Sequence, residues 1–196
     1  DIKSNVQKML DLTIEANNAG AHLIIFPELA LTGYPPEDLL FRNGFINQVN
    51  DEIDFFCNSV PSSISILFGA PNKTDGLLFN SAYLIQNNRI LHVYNKQELP
   101  NYGVFDEKRY FSAGNDSFVF ECQNTKIGVL ICEDQWIEGP ITRLCQSNID
   151  IVVSLNASPF QLNKQNERID ICKNFAVKFD ITFIYVNMVG GQDEVV

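Results

Sequence analysis

Short apolar runs, set among stretches with helical periodicity, constrain this chain more than any other feature. His22–Phe26, Lys126–Ile131, Asp150–Leu155 and Ile181–Asn187 read as strands, and the first is apolar enough to be covered on both faces. Residues 2–18 place Ile2, Val6, Met9, Leu10 and Ile14 on one helical face, with Gly20 as the stop. Residues 43–58 repeat the pattern with Phe45, Val49, Ile53 and Phe56, and Ile141–Ser147 and Gln165–Phe179 read as further helices. Ile64–Ala70 is another strand. Two hairpins interrupt the alternation. Leu78–Gln86 and Arg89–Tyr94 flank Asn87-Asn88, where asparagine tolerates positive φ; Ser117–Glu121 and Lys126–Ile131 flank Gln123-Asn124. The prediction is an α/β protein with a mixed sheet, or two sheets, and helices outside. Nothing divides the 196 residues, so residues 1–196 are one domain.

The net charge of −10, with no stripe of Lys or Arg, excludes nucleic acid and anionic membrane surfaces as partners. No apolar run approaches the length of a membrane span. The five cysteines, Cys57, Cys122, Cys132, Cys145 and Cys172, contain no CxxC pair, and His22 and His92 are the only histidines. No metal site is expected, and reduced thiols point to the cytoplasm.

Three strands share one design. His22–Phe26 runs into Pro27-Glu28, Arg89–Tyr94 into Asn95-Lys96, and Lys126–Ile131 into Cys132-Glu133-Asp134. Each hands a reactive side chain to its carboxyl end, where α/β sheets form their sites. A thiol is the side chain best able to attack a carbonyl near neutral pH, provided its proton is taken. Acidic neighbours raise the pKa of Cys132, so proton transfer during attack suits it better than a standing thiolate. Glu28 is placed to take that proton. Lys96 and the Glu133 N–H are placed to stabilise the oxyanion.

The segments Phe26–Pro35, Lys96–Glu107 and Gly128–Asp134 resemble the carbon–nitrogen hydrolase (nitrilase) superfamily over nearly the whole chain. More narrowly, residues 33–40, 99–111 and 189–194 are similar to the glutaminase domains of glutamine-dependent NAD⁺ synthetases. The resemblance implies a four-layer α-β-β-α sandwich, with the family's first strand missing ahead of Asp1. It implies Glu28 as general base, Lys96 as oxyanion stabiliser, Cys132 as nucleophile and Glu107 as a second glutamate that orders the site. It assigns glutamine recognition to Tyr102, Phe105, Glu133, Ser158 and Lys164, with Glu133 on the α-amino group and Ser158 and Lys164 on the carboxylate. Met188 departs from the pattern, since glutamine is expected before Val189-Gly190-Gly191. The implied reaction is hydrolysis of glutamine to glutamate and ammonia, with ammonia passed to a synthetase domain that uses ATP and Mg²⁺ to amidate nicotinic acid adenine dinucleotide. No cofactor is expected in this chain itself, and assembly as a homo-oligomer is. A stand-alone amidase acting on another small amide, and a catalytically silent interaction module, are the alternatives.

Overall fold

The computed structural model describes residues 1–191. Helix α1 (Ile2–Asn18) starts at Asp1, whose carboxylate accepts the N–H groups of Lys3 and Ser4. Its buried stripe is Ile2, Val6, Met9, Leu10 and Thr13. Ile14, expected on that face, is 41% exposed. Thr13 takes the inward position because its hydroxyl donates to the Met9 carbonyl one turn back (2.7 Å), so it needs no other partner. Strand β1 (Leu23–Ile25) leads through a Pro-rich loop to α2 (Asn43–Ser59). The strands β2 (Ser65–Thr74), β3 (Leu77–Gln86) and β4 (Arg89–Asn95) complete a sheet of order β1-β2-β3-β4. Strand β2 runs four residues past its expected end because Pro71–Thr74 stay paired with Leu77–Asn80 of β3.

Strands β5 (Phe118–Cys122), β6 (Thr125–Ile131), β7 (Ile151–Asn156) and β8 (Thr182–Asn187) make a second sheet of order β5-β6-β7-β8. Helices α3 (Glu138–Cys145) and α4 (Lys164–Phe179) accompany it. The structure starts α3 three residues earlier than Ile141, because Pro140 falls in its first turn, where the missing N–H has no partner to lose. Both expected hairpins form, with Asn87, Asn88, Gln123 and Asn124 all at positive φ.

Of the two arrangements allowed by the pattern, the structure takes two sheets. Leu67, Ala82, Leu84 and Tyr94 of the first sheet pack against Phe118, Phe120, Val129, Ile131 and Val153 of the second. Helices α1 and α2 cover the outer face of the first sheet through Val6, Val49, Ile53 and Phe56 against Ile66, Phe68 and Tyr83. Ile141 and Leu144 of α3, with Phe175 and Phe179 of α4, cover the second. The layers run α-β-β-α. Strands β1, β2 and β4 run parallel in the first sheet and β6, β7 and β8 in the second. The carboxyl ends of β1 and β4 meet those of β7 and β6, where the Ala157 N–H donates to Glu28 and the Gln97 N–H to Asp134. Among the described residues no helix is long and apolar enough to cross a membrane.

Candidate active site

Side chains from both sheets meet at those carboxyl ends. Lys96, one residue beyond β4, is wholly buried, and its ammonium donates to Glu28 Oε1 (2.7 Å) and Glu107 Oε1 (2.8 Å). An ammonium has three donors, and the third finds no acceptor among the described residues. Burial alone would lower the Lys96 pKa, but the Glu107 and Glu28 carboxylates outweigh it and hold the ammonium well above its ordinary value.

Glu28 is fixed by three donors. Oε1 also accepts the Asn80 amide (2.7 Å) from β3, and Oε2 accepts the Ala157 N–H (2.9 Å) from the end of β7 in the other sheet. This carboxylate therefore ties the two sheets together. Its backbone reaches that position through a close approach. A Cβ on Gly69 of β2 would lie 2.2 Å from the Leu29 nitrogen and 2.6 Å from the Pro27 oxygen, so only glycine lets the Pro27–Leu29 segment lie against the strand. Gly114 does the same beside Lys96: its N–H donates to the Lys96 carbonyl, and a Cβ there would meet the Asn95 oxygen at 2.3 Å.

Glu107 Oε1 also accepts the Tyr34 hydroxyl (3.0 Å), while Oε2 has no partner among the described residues. Burial is the main cause that pushes Glu107 up, to about 7; Lys96 opposes and Glu28 adds to it. Cys132 sits at the end of β6 with φ of +44°, a left-handed conformation that a side chain with a Cβ adopts at a cost of about 1–2 kcal/mol. Its thiol is buried, pushed well up first by burial and then by Glu28, against which Lys96 works. Burial, not the acids that follow Cys132 in sequence, is the leading cause of that rise. The Ser158 hydroxyl lies 3.6 Å from Cys132 Sγ and 2.8 Å from the Tyr185 hydroxyl.

The remaining sequence-selected residues ring this cluster. The Tyr102 hydroxyl, 3.0 Å from Glu133 Oε2, links the loop after Lys96 to the turn after Cys132. Phe105 packs between Tyr34 and Tyr102, with ring centroids 6.4 and 5.5 Å away. Lys164 stands apart from the thiol: its ammonium pairs with Glu167 (2.5 Å) and lies 4.7 Å from the Trp136 ring centroid. Met188 packs with Leu29, Tyr34 and Ala157. Of the 189–194 match, Gln192, Asp193 and Glu194 lie outside the described residues.

Sequence reasoning missed Asn80, Tyr34 and Asp134. Asn80 had one signal, a polar residue in an otherwise apolar strand of Leu77-Leu-Phe-Asn80. Tyr34 was visible only as part of a Pro-rich loop.

The model of the carbon–nitrogen hydrolase family matches residues 1–196. The glutamine-dependent NAD⁺ synthetase of Acinetobacter baylyi is 40% identical over 197 residues, covering 100% of this chain and 36% of that protein. The synthetase of the same name from Synechocystis is 37% identical over 213 residues, with 100% and 38% covered. This chain thus spans little more than a third of these relatives. The solved structure of glutamine-dependent NAD⁺ synthetase from Acinetobacter baumannii, in complex with ADP, superposes with a TM-score of 0.93 at 42% identity, over 100% of this chain and 37% of that one. An amidase of the nitrilase superfamily from Nesterenkonia shares the fold, with a TM-score of 0.86 at 20% identity, over 100% of this chain and 74% of its own.

Proposed function

We propose that this chain, which belongs to the carbon–nitrogen hydrolase family, hydrolyses glutamine to glutamate and ammonia through a thioester on Cys132. The observation that carries this is the buried Glu28–Lys96 pair, 2.7 Å apart, brought from one sheet to the end of the strand in the other sheet that presents the thiol. Glu28 takes the thiol proton as sulfur adds to the amide carbon. The free donor of Lys96 and the N–H of Glu133 receive the developing oxyanion. Collapse of the tetrahedral intermediate breaks the C–N bond, and Glu28 returns its proton to the leaving nitrogen, so ammonia departs. Water then adds to the thioester with Glu28 again as base, and glutamate is released with the thiol restored. Lys96 enters the reaction charged, because the Glu107 and Glu28 carboxylates hold its ammonium well above its ordinary value.

Glutamine fits the rim. Glu133, braced by Tyr102, is an acceptor for the α-ammonium, and Ser158 is a donor for the carboxylate. The relatives' name, glutamine-dependent NAD⁺ synthetase, supports a synthetase partner domain as the consumer of the ammonia; its use of ATP and Mg²⁺ is what the resemblance implies.

The test is incubation of the protein that carries this chain with amide-¹⁵N glutamine, with and without nicotinic acid adenine dinucleotide and ATP. Labelled ammonia and glutamate, with a glutamyl adduct trapped on Cys132, are expected. Turnover of a simple amide but not of glutamine would make it an amidase of another specificity. Absence of any adduct on Cys132 would make it a silent module.

A further inference from the structure

Among the described residues two buried carboxylates join the sheets at the reactive end, and of these only Glu28 faces the chemistry. The second is Asp134, fully buried on the 3-10 turn that begins at Cys132. Its Oδ1 accepts the N–H groups of Gln97 (2.9 Å) and Glu98 (2.8 Å). Its Oδ2 accepts the N–H of Ile131 (3.0 Å) and the hydroxyl of Tyr94 (2.9 Å). Gln97 and Glu98 directly follow Lys96, beyond the end of β4 in the first sheet. Ile131 directly precedes Cys132, at the end of β6 in the second. One side chain thus spans the residue after the ammonium and the residue before the thiol. The bond to Ile131 taken alone would be ordinary capping of a short turn. The other oxygen, reaching across to the opposite sheet, has no such local purpose.

The donors are themselves held. Gln97 Nε2 donates to the Tyr94 hydroxyl (2.9 Å) and to the Asp116 carbonyl (3.1 Å), and Gln97 Oε1 accepts from the Arg143 guanidinium of α3. With four donors on a carboxylate that has about four acceptor sites, there is no slack.

We propose that Asp134 is a positioning residue for the hydrolysis argued above: its carboxylate sets the spacing of Lys96 from Cys132 and holds the thiol's strained backbone in place. The inference rests on that reading for its substrate, but the positioning of the thiol can be read without glutamine. A displacement of about 1 Å at a reacting group costs on the order of a hundredfold in rate.

Asp134→Asn is nearly isosteric but has a single accepting oxygen. Whichever way the amide sits, its NH₂ meets backbone N–H donors belonging to one of the two sheets. The expected result is a kcat for glutamine lowered about 30- to 100-fold with KM within about threefold of wild type. Alkylation of Cys132 by iodoacetamide, followed by peptide mapping to separate it from the other cysteines, should slow in parallel. Slowed alkylation in a protein inactive on glutamine would uphold the positioning role while overturning the substrate. Val49→Ala, in the core between α2 and the outer face of the first sheet, supplies a control with lowered melting temperature and wild-type kcat. If Asp134→Asn does not fold, Tyr94→Phe decides, since it removes one donor of the four; a roughly three- to tenfold drop in kcat and alkylation rate with KM held is then expected. A variant that melts earlier yet keeps wild-type kcat and alkylation rate, or that changes KM alone, overturns the proposal.

Discussion

The floor and the rim of the site are built differently. On the floor, Glu28, Lys96, Glu107 and Cys132 are each at most 5% exposed, and every one but Glu107 hangs at or just beyond a strand end. Burial and the neighbouring charges together set the ionisation of Lys96, Glu107 and Cys132. At the rim, Tyr102 is 58% exposed on a loop, Glu133 and Ser158 are half-buried, and Lys164 opens α4, a helix with no buried residue. A floor of this kind fixes one chemistry. A rim of this kind can change its substrate without disturbing the fold.

The largest effects should come from the floor. Cys132→Ala should abolish glutamine hydrolysis, while alanine at Cys57, Cys122, Cys145 or Cys172 leaves it standing. Glu28→Gln and Lys96→Ala should each lower kcat by at least about a hundredfold, as expected for losing a general base or an oxyanion donor. Steady-state ammonia release checks all of these. Near-normal turnover in Cys132→Ala would mean that the floor is not where bonds break.

Next comes a residue that touches no substrate. Gly69→Ala puts a Cβ 2.2 Å from the Leu29 nitrogen and must push the Glu28 segment away from β2. The expected outcome is a loss of kcat on the order of a hundredfold, with a lowered melting temperature and slower alkylation of Cys132. Unchanged alkylation would show that the floor tolerates displacement of its base, which would blur the contrast with the rim.

This floor was only partly legible in the sequence. Glu28, Lys96 and Cys132 could be read because each ends an apolar strand, and strand ends are visible in a linear pattern. That these strands belong to two sheets was not, since apolar runs do not say which neighbour they pair with; the four-layer stack came from resemblance. Asp134 and Asn80 could not be assigned because their partners lie 37 and 52 residues away in the chain. Ile14 was misplaced because periodicity scores an isoleucine above a threonine, and it cannot see that Thr13 satisfies its hydroxyl within the helix.

Glu107 offers a smaller, pH-dependent effect. Its pKa rises from 4.5 in the unfolded chain to about 7 in the folded one, chiefly through burial. The folded state therefore binds this proton more tightly, and the stability it contributes is full below the unfolded value and lost as pH climbs through about 7. Asp134, raised to about 6, slopes the same way, so the comparison must be with a variant that keeps it. Glu107→Gln should gain stability relative to wild type between pH 5 and 8, by on the order of 3 kcal/mol at most. Denaturant melts across that range check it. A constant difference between the two proteins would mean that Glu107 is ionised throughout and that the floor is less dry than its geometry indicates.

The smallest effect belongs to the rim and concerns Lys164. If it is to hold the substrate carboxylate, it must leave Glu167, its partner at 2.5 Å on the same helix. That pair is partly exposed, and such pairs are worth at most about 1 kcal/mol. The Lys164 ammonium also lies 4.7 Å from the ring centroid of Trp136, which ends the turn after Cys132. Removing the competitor should help binding slightly. Glu167→Gln is expected to lower KM for glutamine about twofold, and Lys164→Ala to raise it about three- to tenfold, both with kcat nearly unchanged. The discriminating substrate is a primary amide of similar length that lacks the α-carboxylate. Its KM should ignore both changes. If Lys164→Ala weakens the two substrates equally, the lysine shapes the rim through Trp136 and not by meeting the carboxylate, and recognition of that group would rest on Ser158.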